Sequence, residues 1–361
     1  MELTLVPLLL PAIQKEFGLS IGDLAWVFNT YGIAVAAGVL CGGWCGDVFN
    51  TKKVFGYGVA FFAFGSFLVA ASNSFDMLII GRMLQGFGGG MFSPLVPILL
   101  TRASSQKPGR TLIFWGSVAG YVAALAPLFY GSLPGAQNWN VAFIVNAMVA
   151  IAALLILCGS PVVDTPSPHS PAQKVRAGLF RNRDLWVTFL YVFCTYGSIT
   201  YCLFYLPIRL ASENVQAASV GFILSVMWLT FSGFSTVLRN LVDKPHIRII
   251  MLAAPLLIAA ALPLLFFADN LVLLVISSVF IGTSLACSNA PSTQLILRFA
   301  PIGMSAVATS IDITVARLGG IATVALLAET KVVYAATVIC FLSVLAVCCT
   351  LTVSRRLTDG T

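Results

Sequence analysis

Pro161 to Asp184 reads PVVDTPSPHSPAQKVRAGLFRNRD, the longest polar stretch in a chain of 361 residues. Its prolines, serines and basic residues mark a linker, because clusters of this composition interrupt regular structure. Outward from it, the chain falls into apolar runs of about the length, roughly 20 residues, that crosses a bilayer as a helix. Six precede the linker, near 1–13, 24–45, 53–72, 76–101, 110–133 and 139–160, and six follow, near 185–207, 216–238, 249–267, 270–297, 301–328 and 332–353. Backbone polar groups in hydrocarbon must be satisfied within their own segment, so these runs predict helices. The expected architecture is all-α and integral to the membrane. Twelve helices form two six-helix halves, 1–160 and 185–361, joined by a cytoplasmic linker over 161–184 and ending in a short cytoplasmic tail.

Composition excludes the alternatives. Hydrophobic residues make up 59% of the chain and charged residues only 9%, far too few charges for a soluble domain of this length. The basic residues sort by loop: fifteen of the twenty Lys and Arg fall on one side of the spans, three on the other, and Arg82 and Arg317 lie inside helices. Loops rich in Lys and Arg stay in the cytoplasm, so both termini are expected there, in a multi-pass protein of the plasma (cell inner) membrane. The same asymmetry accounts for the net charge of +7 without a nucleic-acid partner. The nine cysteines lie in the spans, away from any metal-ligand spacing with His, and both His169 and His246 sit in loops. The expected partners are the lipid bilayer, a small-molecule substrate and protons; no metal, cofactor or enzymatic reaction is implied.

The first run is short. About thirteen residues rise only about 20 Å, against a hydrocarbon core of roughly 30 Å. No basic region precedes it to suggest a signal peptide. The expectation is that the first half of a longer first helix is missing, by about ten residues or more.

Four stretches carry the chemistry. After the second span comes Gly43-Trp-Cys-Gly-Asp47-Val-Phe-Asn50-Thr-Lys52-Lys53. It resembles the signature loop of the major facilitator superfamily, with Val48 where a basic residue is usual and Asn50 in place of a second Gly. Asn is the next best residue for a left-handed turn, so that backbone shape is expected at Asn50. The resemblance implies a charge latch made by Gly43, Asp47, Lys52 and Lys53. A matching loop in the second half sets Asp243 five residues before Arg248, as Asp47 precedes Lys52. Such transporters are built from repeated halves.

The fourth span holds Gly81-Arg82-Met-Leu-Gln85-Gly86-Phe-Gly88-Gly89-Gly90, in which Arg82, Gln85 and Gly86 are similar to the Arg-x-x-Gln-Gly motif of drug:proton antiporters, a resemblance that associates Arg82 with proton transfer. An arginine at membrane depth costs a few kcal/mol, so Arg82 is expected to face the bundle interior. The glycines lie in an apolar helix and follow no strand, which sets aside a dinucleotide loop. The fifth span, with Gly116, Gly120, Pro127 and Gly131, resembles the exporters' Gly-Pro-x-x-Gly-Gly motif, although Ala126 and Tyr130 replace two of its glycines. Trp139, Phe143 and Asn146 resemble the opening of the sixth helix in the same branch, Glu2-Leu-Thr4 with Leu10-Pro11-Ala-Ile13 its first helix, and Arg317-Leu-Gly319-Gly320 its eleventh. Leu179 to Arg183 resembles the entry to its C-terminal half, without the two extra helices of fourteen-helix members.

Asp312 and Glu2 are the acids these spans place well inside helices. Apolar surroundings disfavour an ionised carboxylate, so Asp312 is the sharpest proton-coupling candidate, followed by Glu2 and Arg82. Arg317, five residues further on, lies roughly 140° around the helix and faces elsewhere. Tyr196 and Tyr201, in an aromatic-rich seventh helix, and Arg317 are the substrate-cavity candidates. The implied function is proton-coupled export of a small lipophilic or amphipathic compound by alternating access, as in multidrug efflux. The alternatives are an uptake facilitator or a transport-dead membrane sensor.

Overall fold

The computed structural model describes residues 2–96, 99–100, 108–132, 138–159, 182–238, 247–300 and 305–353. Those residues form α1 (Glu2–Phe17), α2 (Ile21–Val48), α3 (Thr51–Ala70), α4 (Phe75–Phe92), α5 (Pro108–Ser132) and α6 (Trp139–Gly159). They continue through α7 (Arg183–Ser212), α8 (Ala217–Leu238), α9 (Ile247–Phe267), α10 (Leu271–Phe299), α11 (Ser305–Leu327) and α12 (Val332–Thr352). Twelve helices and no strand are found among the described residues, and nine of the helices are long and apolar enough to cross a membrane. Large apolar side chains stay exposed, including Leu155 and Ile156 on α6 and Phe341 and Val344 on α12. In water such a surface would drive association; lipid covers it.

Helix ends follow local chemistry. α1 stops where Gly18 turns left-handed at φ 63°, with the Leu19 amide reaching back to the Gln14 carbonyl. Ser20 then opens α2 through a reciprocal capping box with Asp23. Asn50 departs from expectation. At φ −61° it is not left-handed; its side-chain oxygen accepts from the Lys53 amide at 2.8 Å and caps α3. Asn serves either role, and the free amides of a helix start made the cap the better one.

α1 runs four residues past its expected end, to Phe17, and two other spans depart further from their expected bounds. The run expected over 76–101 breaks at a turn over Ser93 and Pro94, because proline lacks the amide that would continue α4. α7 instead runs past Pro207 to Ser212, closing at Asn214 in the left-handed region with the Val215 amide on the Leu210 carbonyl. Arg209, expected in a loop, is thereby a buried helical residue. Its guanidinium donates to the Leu265 and Ala268 carbonyls at the end of α9 and pairs with Glu213 at 2.8 Å.

The chain divides into two compact units. One comprises Ala12–Ala119 and Gly135–Ser170; the other comprises Met1–Pro11, Gly120–Pro134 and Pro171–Thr361. In the first, α4 packs between α2 and α3 on glycine. Gly86 and Gly90 meet the backbone of Tyr31 and Val35 on α2, whereas Gly81 and Gly88 meet Val69 and Phe62 on α3. A Cβ at any of these positions would collide with a neighbouring helix, so the run is a packing surface of the small-residue kind. In the second unit, Gly197 of α7 and Gly319 and Gly320 of α11 bring those two helices together in the same way. The 161–184 linker lies almost wholly outside the described residues.

Candidate functional site

Each unit buries a polar cluster around a residue that the sequence singled out, Arg82 in one and Asp312 in the other. In the first, the glycine contacts hold α4 hard against α2 and α3, which leaves Arg82 1% exposed among three helices. Its Nε donates to the Val27 carbonyl at 3.2 Å and its Nη1 to Gln85 Oε1 at 2.6 Å. Gln85 Nε2 donates in turn to Ser66 Oγ on α3 at 2.9 Å, and Ser66 donates to the Phe62 carbonyl at 2.8 Å. The guanidinium carbon lies 4.4 Å from the centre of the Tyr31 ring and 5.8 Å from that of Phe143 on α6. Hydrogen bonds from a charged donor and a ring face both compensate a buried cation. Thus Arg82 and Gln85, three residues apart on one helix face, start a chain of hydrogen bonds that ties α2, α4 and α3.

The start of α6 is fixed within the same unit. Trp139 is fully buried, donates to Glu16 Oε2 at 2.6 Å and packs on Phe17 and Phe143. Asn140 donates to the last carbonyl of α3, that of Ala70. The Trp139 to Asn146 stretch therefore works as a clasp, with Asn146 also buried.

In the second unit the cluster centres on Asp312 of α11, 8% exposed. Thr293 Oγ1 of α10 donates to Asp312 Oδ2 at 3.1 Å. Tyr196 of α7 lies within electrostatic reach of both Asp312 and Arg317. Arg317 is half-buried and forms no ion pair with the described residues, so Asp312 meets a neighbouring helix rather than its own helix's cation. Tyr201 is sealed, stacked on Tyr205 at 5.8 Å, and Tyr205 meets the edge of Phe266 on α9 at 5.0 Å. That arrangement packs α7 on α9.

The exporter-like positions of α5 face α8. Gly120 lies over Ser232, the Pro127 carbonyl over Gly221, and Gly131 over Ala217. The surroundings of Gly116 lie outside the described residues. Along the same face of α8, Ser225 Oγ, Trp228 Nε1 and Ser232 Oγ are buried and meet no hydrogen-bond partner among the described residues.

The latch positions are only partly in view. Gly43 is half-buried at the end of α2, and Lys52 and Lys53 stand in the first turn of α3, Lys53 exposed. The side chains of Asp47 and Glu2 and the whole of Asp243 lie outside the described residues. Arg248 donates to the Thr350 carbonyl at 2.9 Å and the Leu351 carbonyl at 2.6 Å, closing the C-terminal end of α12. Cations are favoured there by the unpaired carbonyls and the helix dipole.

Sequence reading missed Tyr31, Ser66 and Thr293, which complete the two clusters, and the buried face of α8. A Ser or Thr in an apolar helix usually bonds its own preceding turn, as Thr195 does to Tyr191, so its presence alone does not single it out.

Comparison with known proteins agrees with this architecture. A family model described as Major Facilitator Superfamily matches residues 1–324. A multidrug resistance protein B homolog of Mycobacterium tuberculosis is 33% identical over 156 residues, covering 43% of this chain and 29% of that protein. The methylenomycin A resistance protein of Bacillus subtilis is 30% identical over 157 residues, 43% of this chain and 34% of that one. The matches thus span about a third of each relative's length. Among solved structures, a D-xylose-proton symporter superposes with a TM-score of 0.80 over 100% of this chain and 95% of its own, at 14% identity, a likeness of fold.

Proposed function

The chain belongs to the major facilitator superfamily, and from that membership we propose that it exports small lipophilic or amphipathic compounds in exchange for protons by alternating access. The observation that carries the reading is the Arg82–Gln85 pair, seated in a three-helix cradle of hydrogen-bond acceptors and aromatic faces. A cation so costly at membrane depth is kept for a task. The resistance proteins matched in the previous paragraph give export its direction, and the excess of basic residues in alternate loops argues for cytoplasmic termini in the cell inner membrane. The two halves 1–160 and 185–361 are the proposed repeats, with Asp312 as proton carrier and Gly43, Asp47, Lys52, Lys53, Asp243 and Arg248 as the conformational latch.

The test is a substrate-accumulation screen in cells lacking their own pumps, with and without an uncoupler, followed by proteoliposomes with an imposed proton gradient. Asp312→Asn keeps an oxygen for Thr293 but loses the exchangeable proton. It should bind substrate and fail to accumulate it uphill. Unchanged uphill transport in that variant removes Asp312 from the coupling step and leaves Glu2 as the candidate acid.

A further inference from the structure

α2 carries Cys41 and Cys45 one turn apart near its C-terminal end, both half-buried, with their sulfurs 3.8 Å apart. Neither thiol takes part in the Arg82 network. Two sulfurs bound to one centre at about 2.3 Å each lie roughly 3.3–3.8 Å apart at bond angles of about 90–110°, so the pair stands at the wide end of the span of a chelate. A disulfide needs sulfurs at about 2.0 Å, which this spacing does not offer without movement of the turn. The turn is held. Gly42 seats α2 on the Met91 backbone, Gly46 faces Leu95, and Cys45 itself packs on the cluster of Val54, Met91 and Leu95. Among the described residues no third Cys, His, Asp or Glu joins the pair to make a larger metal site. What fits is a soft centre satisfied by two thiolates.

We propose that Cys41 and Cys45 form a dithiol site for soft thiophiles, with trivalent organoarsenicals as the fitting class. An arsenoxide exchanges its oxygen for the two sulfurs: two arsenic–sulfur bonds form, two S–H bonds break, and the oxygen leaves with both protons as water. Arsenic stays trivalent, and no oxidant is needed. The other seven cysteines offer no such pair: Cys194, Cys202, Cys287 and Cys349 are buried, Cys348 points about 100° away from Cys349 around α12 and lies about 12 Å along it from Cys340, and Cys158 stands on α6.

The probe is phenylarsine oxide added to the reduced protein in detergent, with intact mass and peptide mapping as readouts, neither of which depends on transport activity. Wild type should take up one arsenical on the peptide containing α2, resist an excess of monothiol, and release it to 2,3-dimercaptopropanol. Cys41→Ser and Cys45→Ser should each remain monodisperse and lose retention by about a hundredfold or more, the scale of a lost intramolecular second contact. An adduct that persists in both single variants, or one that monothiol strips from wild type, overturns the assignment.

Discussion

Replacing Arg82 separates what its charge contributes from what its shape contributes. Arg82→Lys keeps the charge, but a compact ammonium cannot reach both the Val27 carbonyl and Gln85 Oε1 while lying flat on the Tyr31 ring, as the planar fork does. A hydrogen bond from a charged donor contributes about 1.5–3 kcal/mol, and a desolvated cation–π contact about 2 kcal/mol. With one bond and most of the ring contact gone, the Lys variant should lose about 3–4 kcal/mol. Arg82→Met keeps the length and discards the charge. It takes a donor from Gln85 Oε1, at about 1–3 kcal/mol, and loses the ring contact, at about 2 kcal/mol, whereas the Val27 carbonyl keeps its amide partner within α2; against these it removes a desolvation penalty of several kcal/mol. These terms nearly cancel, so the Met variant should be the more stable of the two. Thermal unfolding in detergent reads the order, with a Lys deficit of roughly 6–16 °C for a unit of this size. A Lys variant as stable as wild type beside a collapsed Met variant would show that charge, and not the fork, holds the cluster. Both variants should fail to transport, and normal proton-driven efflux by Arg82→Ala would take this residue out of the mechanism.

Gly90→Ala should destabilise by about 1–3 kcal/mol, because its Cβ would meet Val35 and Val39 backbone atoms on α2. Gly233→Ala, which meets open space on α8, should raise the unfolding temperature through the helix propensity of Ala, worth up to about 1 kcal/mol; a fall there would refute the packing contrast. Arg248→Ala uncaps α12, and hydrogen exchange should quicken over its last turn while the remainder of the helix is unchanged. Trp228→Phe should cost only the volume it vacates, about 1–2 kcal/mol, since the indole N–H is buried without a partner among the described residues. A loss of more than about 3 kcal/mol would show that this N–H contributes a hydrogen bond.

The fold was legible because its cause is local. Each helix follows from an apolar run between polar breaks, and hydrocarbon permits no other spanning segment in an all-helical chain. Bounds failed where one residue competes with a trend, as Pro94 does by stopping α4 and Pro207 does by failing to stop α7. The candidate residues were legible as types but not as partners. Arg82 and Gln85 stand three apart on one face, so their pairing follows from helix geometry, whereas Ser66, Tyr31 and Val27 reach them from other helices. Likewise the angular offset of Asp312 from Arg317 could be worked out from 3.6 residues per turn, but the identity of Thr293 as its donor could not. Asn50 shows a further limit: the same side chain suits a left-handed turn or an N-cap, and the choice rests with the backbone around it.

The two clusters also differ in what they can do with a proton. A guanidinium keeps its proton at any pH a cell reaches, so Arg82 can bias an equilibrium or orient a partner but cannot load and unload a proton. Its donors reach the Val27 carbonyl and Gln85, with Gln85 braced in turn by Ser66. Asp312 is the reverse case. It is a carboxyl with a hydroxyl donor on one oxygen, Thr293, and a hydroxyl can rotate to donate to a carboxylate or accept from a carboxylic acid. Such a contact tolerates both charge states without moving a helix. If the chain couples transport to protons as proposed, the step of charge change therefore belongs to a carboxyl and the role of Arg82 is to set which state of the first unit is favoured. Arg82→Met and Asp312→Asn should then fail differently, the first by losing substrate binding or turnover at every pH and the second by losing only uphill transport.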